Sequence, residues 1–130
     1  MGRFTLANTT DSTFASPSIN FETGNVNAET FSQDFALGLE SNGDVLAVGR
    51  LEVQSGRGRF TTSFGIARVL SDGALDSSFG TDGIVTTSFA GSTGVATAVT
   101  VETSGDILVA GVGTNSSGTE GIAVERYLSE

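Results

Sequence analysis

The chain has 130 residues, a formal net charge of -9, and no histidine, cysteine or lysine. It therefore lacks the commonest general base, the thiol nucleophile, disulfides and the usual zinc ligands, and we expect no enzymatic activity, metal or cofactor. Because nucleic-acid binding needs a basic surface, the acidic balance also disfavours a nucleic-acid partner.

Residues 1–34 form the first segment in chain order. They contain the stretch Asp11-Ser12-Thr13-Phe14 and one short candidate strand at residues 19–23. No basic region followed by an apolar run occurs at the start, and no 18 consecutive apolar residues occur anywhere in the sequence. We therefore expect neither a signal peptide nor a membrane span.

Residues 35–91 contain four candidate strands and no convincing helical periodicity. The strands are at residues 36–39, 45–48, 64–70 and 84–89. Asn42-Gly43 between the first two predicts a hairpin, since both residues accept a positive φ. The second strand does not alternate apolar and polar residues, which predicts a strand covered on both faces. The fourth is the most polar and is expected at an outer edge.

Residues 92–130 repeat this pattern with three strands. Residues 36–49 align with 98–111 at an offset of 62, and residues 64–71 align with 122–129 at an offset of 58, so the loop between the two blocks is expected to be four residues longer in the first unit. Asp11-Ser12-Thr13-Phe14 aligns with Asp76-Ser77-Ser78-Phe79 at an offset of 65. The chain therefore reads as a tail, a full unit and a three-stranded partial unit.

The repeated motifs resemble the bacterial delta-60 repeat family. The resemblance is carried by ARVLSDGALDSSFGTDG at residues 67–83 and by ILVAG at residues 107–111, and it covers about residues 35–129. Asp44 and Asp106 stand where that family usually has lysine. The resemblance implies β-propeller blades and a scaffold, and it implies no particular reaction.

Four short strands per repeated unit are also typical of a propeller blade. The sequence thus predicts an all-β fold of about two four-stranded blades per chain, with a small antiparallel β-sandwich as the alternative. Since propellers need four to eight blades to close, we expect the ring to be completed by homo-oligomerisation, with a trimer favoured and a tetramer second. Residues 1–34 would complete the partial blade of a neighbouring copy, anchored by Phe14, Ile19 and Phe21.

The alternative is a monomer whose tail folds back as an extra strand. For function, the sequence favours a structural or interaction module of a surface, virion or extracellular assembly, with other assembly proteins or glycans as further partners. A lectin-like carbohydrate-binding protein is the second hypothesis, with Phe60, Phe64 and Tyr127 as candidates for stacking on a sugar, although alternation and the alignment favour core positions.

Two groups of charged residues are candidate binding sites. Arg50, Arg57 and Arg59 gather half of the positive charge within ten residues and form a candidate partner-binding loop, because arginine binds anionic groups in a bidentate manner. The alternatives are a solvated loop or a salt bridge between copies. Asp72, Asp76 and Asp82 could ligate calcium, but aspartate beside glycine is a common turn former, so turn chemistry is favoured.

Overall fold

The computed structural model describes residues 12–15, 30–54 and 57–129, and within them it contains strands and turns but no helix. The strands are β1 (Thr30–Leu39), β2 (Val45–Gln54), β3 (Phe60–Val69), β4 (Ile84–Ser88), β5 (Gly94–Val101), β6 (Ile107–Thr114) and β7 (Glu120–Tyr127). They form a first sheet in the order β1-β2-β3-β4 and a second sheet in the order β5-β6-β7, with antiparallel neighbours throughout. The described part of the chain has no helix that could cross a membrane.

The predicted all-β class is confirmed, and each strand predicted between residues 36 and 128 is present. β4 is the edge strand of the first sheet, as its polarity indicated. The candidate strand at residues 19–23 lies outside the described residues. The prediction of a longer loop in the first unit was wrong, because the segments between the strands, 55–59 and 115–119, are equally long. The extra residues lie in the strands: β2 and β3 have 10 residues each, whereas β6 and β7 have 8 each.

The hairpin between β1 and β2 is present, but its turn differs from the predicted one. Gly43 has a φ of 92°, whereas Asn42 does not adopt a positive φ. The Asn42 side chain instead bonds Asp44, accepting from its amide at 3.0 Å and donating to its carboxylate at 2.8 Å. The turn between β5 and β6 is built in the same way around Gly105, whose φ is 91°. One residue with positive φ is therefore enough to reverse each hairpin.

The first two strands of each sheet share an irregularity at aligned positions. The pairing of β1 with β2 shifts between Asp34 and Ala36, and that of β5 with β6 shifts between Ala96 and Ala98. A shift of this kind bends a strand and increases its twist. The two pairs of strands are therefore bent at the same place relative to their turns.

The core lies between the two sheets. Leu46, Val48, Phe64 and Ile66 of the first sheet are fully buried and form one cluster with three residues of the second sheet, Ala96, Ile107 and Val109. β5 makes the contacts with β1, β2 and β3 that join the sheets. Stacked sheets of this kind are stabilised by the apolar area that they remove from water.

β2 and β6 differ in how their faces are covered, although both sequences predict cover on both faces. Leu46, Ala47 and Val48 are fully buried, so both faces of β2 are covered. In β6 buried and half-buried residues alternate, with Ile107 and Val109 buried against the first sheet. The prediction holds for β2, and in β6 only one face is covered by the described residues.

Replacing Phe64 tests the core between the sheets. The Phe64 ring is fully buried, with its centroid 4.7 Å from that of Phe89. We expect Phe64→Ala to lower the free energy of unfolding by about 3 to 5 kcal/mol, because it leaves a cavity in a packed core. Phe60→Ala makes the same chemical change at the half-exposed start of the same strand and should cost about 1 kcal/mol. Urea denaturation measures both, and equal losses would contradict this packing.

Candidate interaction site

The outward side of the second sheet carries an exposed apolar surface, which we call the tail face. Its most exposed residues lie on or just after β7: Ile122 is 90% exposed, Val124 60% and Leu128 72%. Val112 and Ala110 of β6 lie directly opposite Ile122 and Val124 in the sheet and extend this surface. A contiguous apolar surface of this kind commonly marks an interaction site.

Two residues of the tail face, both on β7, align with residues that are buried in the first sheet. In the alignment of the two units, Ile122 corresponds to Phe64 and Val124 to Ile66. Phe64 and Ile66 are fully buried because the second sheet packs on them. The tail face therefore has the position and the chemistry of a surface that another sheet covers elsewhere in this molecule.

The outward side of the first sheet carries a second apolar surface, which we call the head face. Leu37 is 58% exposed and Leu39 71%, both on β1. They align with Val99 and Val101 of β5, which pack into the core between the sheets. Towards β3 and β4 this side of the sheet is buried, so the exposed part of the head face is confined to β1.

The outer edge of the second sheet, at β7, differs from that of the first sheet. In the first sheet β4 pairs with β3, from Ala67 opposite Ile84 to Ser63 opposite Ser88. Among the described residues no strand pairs with β7 on its outer side. An unpaired edge presents a row of backbone donors and acceptors that can bind another strand.

A carboxylate fastens the hairpin turn of each sheet to the end of the sheet's third strand. Asp44 accepts a hydrogen bond of 2.8 Å from the Ser71 amide, and Asp106 accepts one of 2.7 Å from the Ser129 amide. Both aspartates are buried. The structure thus gives the acidic side chain a bonding role at both positions.

Arg68 links β3 to the loop that leads to β4. Its Nε donates to Asp76 Oδ2 at 2.7 Å, and its guanidinium carbon lies 4.6 Å from the centroid of the Phe79 ring. Ser78 donates to Asp76 Oδ1 from its amide at 3.0 Å and from its hydroxyl at 2.6 Å. Arginine over an aromatic ring gains further attraction from the ring electrons.

Arg126 occupies the aligned place in the second sheet but has different partners. Its Nε donates to Glu102 Oε2 at 2.8 Å, and its Nη2 donates to Asp106 Oδ2 at 2.8 Å. Its side chain is about half exposed, whereas that of Arg68 is largely covered. Sequence reasoning did not single out Arg126 or Glu102, although the recurrence of Arg and Glu at aligned positions was a signal for both.

The hydrogen bonds around the two aspartates lower their pKa values. The Ser78 hydroxyl makes the largest contribution to holding the pKa of Asp76 below its ordinary value of 3.8, and Arg68 adds to the effect. The Ser129 amide is the main cause of the lowered pKa of Asp106, with smaller contributions from Ser104 and Arg126. Both carboxylates are therefore charged at neutral pH and hold their donors in place.

Glu40, which aligns with Glu102, has no such partner. Burial raises the pKa of Glu40, and the attraction of Arg68 opposes the rise. Its Oε2 atom is buried and has no hydrogen-bond donor among the described residues. In the first sheet, then, Arg68 is hydrogen-bonded to Asp76 of the loop and not to Glu40.

These charged groups border a cleft of about 1130 Å³ between the two sheets at their turn ends. Arg68 and Phe79 line it on one side and Glu102, Arg126 and Tyr127 on the other. The Tyr127 hydroxyl is hydrogen-bonded to the Thr87 hydroxyl at 2.5 Å, and burial raises the Tyr127 pKa. Two of the three candidates for sugar stacking, Phe64 and Tyr127, therefore lie between the sheets.

Of the predicted interface residues, only Phe14 lies within the described part of the chain, since Ile19 and Phe21 lie outside it. Phe14 is buried. It packs beside Gly73, and the amide of its neighbour Ala15 donates to the Asp72 carbonyl oxygen at 2.8 Å. The segment at residues 12–15 thus lies at the turn that follows β3. Its predicted contact with a neighbouring copy stays a prediction.

The three arginines of the candidate partner-binding loop occupy two environments. Arg50 lies within β2, half buried, with its Nη2 3.7 Å from Glu52 Oε2. Arg57 and Arg59 are exposed in the segment between β2 and β3, and neither has an ion pair within the described ranges. The three arginines are close in sequence, but Arg50 lies within β2. Only Arg57 and Arg59 lie together as exposed charges.

The aspartates considered for calcium act in turns. Asp72 Oδ1 accepts from the Ala74 amide at 2.9 Å, Asp76 is held by Ser78 and Arg68, and Asp82 has a φ of 51°. Across residues 12–15, 30–54 and 57–129, no three acidic side chains gather as metal ligands would. The observed bonds are those of turn formation.

Comparison with known proteins finds no relative of this chain. No protein-family model, curated protein or solved structure matches the chain. The candidate site is therefore defined by its own geometry: two exposed apolar faces, a strand edge with no partner among the described residues, and a half-exposed arginine beside the cleft.

Removing the Ser78 hydroxyl tests the bonds to Asp76. A folded-state pKa below the unfolded value stabilises the fold above the ordinary pKa of 3.8, and this stabilisation is lost as pH falls through the lower, folded pKa. Ser78→Ala should raise the Asp76 pKa and lower the free energy of unfolding at pH 7 by about 1 kcal/mol, with a smaller difference from the parent near pH 2.

Urea denaturation at several pH values measures this effect, and Ser77→Ala is the matched control. The Ser77 side chain is exposed and makes no hydrogen bond within the described part of the chain. A loss in Ser78→Ala that is equally large at pH 7 and pH 2 would show that the hydroxyl does not act through the Asp76 charge.

Proposed function

We propose that this protein is a non-enzymatic structural module that binds copies of itself head to tail, the tail face of one copy packing on the head face of the next. The observation that carries the proposal is the alignment of both exposed faces with the two halves of the buried interface between the sheets. Ile122 and Val124 align with Phe64 and Ile66, while Leu37 and Leu39 align with residues of β5 that pack into that interface.

The sheet interface inside the chain supplies the pattern for the contact. β5 contacts β1, β2 and β3 of the first sheet. In the assembly, β1 of one copy takes the place of β5 and packs on β5, β6 and β7 of its neighbour. The exposed part of the head face lies on β1, which is the strand that this contact requires. The two surfaces differ, so the contact is heterologous and continues from copy to copy until it closes.

The size of the contact favours a closed ring over an open pair. Each buried Ile, Leu or Val contributes about 1.5 to 3 kcal/mol, whereas association costs about 4 to 15 kcal/mol in lost freedom of motion. One contact of this size is weak by itself. In a ring each copy makes two contacts, and closing the last one adds a contact without immobilising a further copy.

The ring we propose is a β-propeller of the kind that the delta-60 resemblance implies. Each sheet serves as a blade, and three copies with two sheets each give six blades, within the usual four to eight. The outer edge of β7 receives a strand from the leading segment of the next copy, in the register that β4 has on β3. Such a ring suits a repeated structural part of a surface, virion or extracellular assembly.

A mixing experiment tests the head-to-tail contact. Ile122→Lys places a charge on the tail face, and Leu37→Lys places one on the head face. We expect the parent protein to have a mass in sedimentation that is a multiple of 13.2 kDa, and each variant alone to be a monomer. At about 100 μM, well above the micromolar dissociation constants of weak specific contacts, an equimolar mixture of the two variants should form dimers and nothing larger, because each chain retains one intact face.

Thr103→Lys, at an exposed position in the turn after β5, is the control and should keep the mass of the parent protein. A parent protein that sediments at 13.2 kDa at about 100 μM, well above the micromolar dissociation constants of weak specific contacts, would overturn the proposal. Variants that stay monomeric when mixed, beside an oligomeric parent, would show that the contact does not join these two faces.

A further inference from the structure

Two arginines at aligned positions, Arg68 and Arg126, bind different partners. The difference points to a further partner of Arg126 that the single chain does not supply. Arg68 is held by Asp76 and stacks on Phe79, both from the loop that follows β3. Arg126 is held by Glu102 and Asp106 of its own sheet. In the first sheet Glu40 corresponds to Glu102, but Arg68 is hydrogen-bonded to Asp76 of the loop and not to Glu40.

The loop that holds Arg68 has the sequence Asp76-Ser77-Ser78-Phe79, and three of its four residues act on the arginine, directly or through Asp76. The aspartate binds the guanidinium, the second serine binds that aspartate, and the phenylalanine stacks on the guanidinium. The chain contains one further stretch that aligns with it, Asp11-Ser12-Thr13-Phe14, in which a threonine hydroxyl replaces the second serine hydroxyl.

The described part of this stretch lies at the end of the first sheet, the sheet that carries the head face. Phe14 and Ala15 pack at Asp72 and Gly73, in the turn after β3 of the first sheet. In the head-to-tail assembly, the first sheet of one copy stacks on the second sheet of the next. Residues 12–15, packed at this turn, then belong to the sheet that stacks on the sheet carrying Arg126.

We propose that Arg126 is the binding site for residues 11–14 of a second copy of the chain. The Asp11 carboxylate of that copy takes the guanidinium from Glu102, as Asp76 binds the guanidinium of Arg68. This inference rests on the proposed head-to-tail assembly and adds its polar recognition element. Glu102 holds the arginine in the separate chain and releases it when the second copy binds.

A charged contact of this kind gives the assembly its register. Apolar faces can slide over one another at small cost, whereas an arginine that must meet one aspartate fixes both position and direction. The half-exposed side chain of Arg126 is accessible to such a partner, in contrast to the more covered Arg68. Because Glu102 occupies the guanidinium meanwhile, the arginine is not left with an unpaired charge.

A charge exchange tests the pairing. Asp11→Arg and Arg126→Asp each place like charges together in the assembly, and each should weaken association, measured by sedimentation over a range of concentrations, by at least about tenfold. The double variant again has opposite charges at this place and should recover to within about threefold of the parent protein. Arg126→Asp combined with Asp82→Arg, an exposed aspartate elsewhere, is the control and should not recover.

Glu102→Gln gives a second measurement that does not disturb Arg126 itself. If Glu102 competes with Asp11 for the guanidinium, removing its charge should strengthen association about threefold, as the loss of one exposed ion pair allows. A merely structural Arg126 predicts unchanged or weaker association in this variant. Urea denaturation of each variant at low concentration shows whether the single chain keeps its fold.

The outcomes separate this inference from the proposed function. If the double charge variant does not recover while Ile122→Lys and Leu37→Lys still form dimers when mixed, the apolar contact is correct and the Arg126 site is wrong. Recovery in the double variant, together with stronger association of Glu102→Gln, supports the site. A parent protein that stays monomeric overturns both.

Discussion

The structure depends on one packing requirement: a sheet that is apolar on both sides must be covered on both sides. In the first sheet β2 meets this requirement, since Leu46, Val48 and Ala47 are fully buried on its two faces, whereas Leu37 and Leu39 of β1 stay exposed on the outward side. The second sheet is covered on one side, by the first sheet, and Ile122 and Val124 face outwards on the other. The apolar area left on that side is the reason to expect a further sheet on it.

The polar groups at the turn ends are organised around the same stacking. Asp44 and Asp106 tie each hairpin turn to the end of a third strand, which keeps the strands of each sheet in register at that end. Arg68 and Arg126 then extend from the sheet to whichever carboxylate lies next to it. The apolar faces supply the attraction between sheets. The arginine of the first sheet binds the loop that leads to β4, whereas that of the second sheet binds carboxylates of its own sheet.

Local patterns predicted much of the fold, and their errors have local causes. The apolar runs, the Asn42-Gly43 pair and the polar strand at 84–89 placed the strands and the edge correctly, because these features depend on near neighbours in sequence. The expected positive φ at Asn42 was wrong because its side chain bonds Asp44 and Gly43 alone reverses the chain. The longer loop was wrong because extra residues can extend two paired strands instead.

By itself, the sequence determined the strand content, the order of strands within each sheet and the two aligned units, since these follow from apolar periodicity and turn residues along the chain. The tertiary structure alone decided which face of each sheet is exposed and which carboxylate each arginine holds. Burial and ion pairing depend on residues far away in sequence, so Ile122 and Phe64 can occupy aligned positions and differ completely in exposure. That difference locates the candidate site.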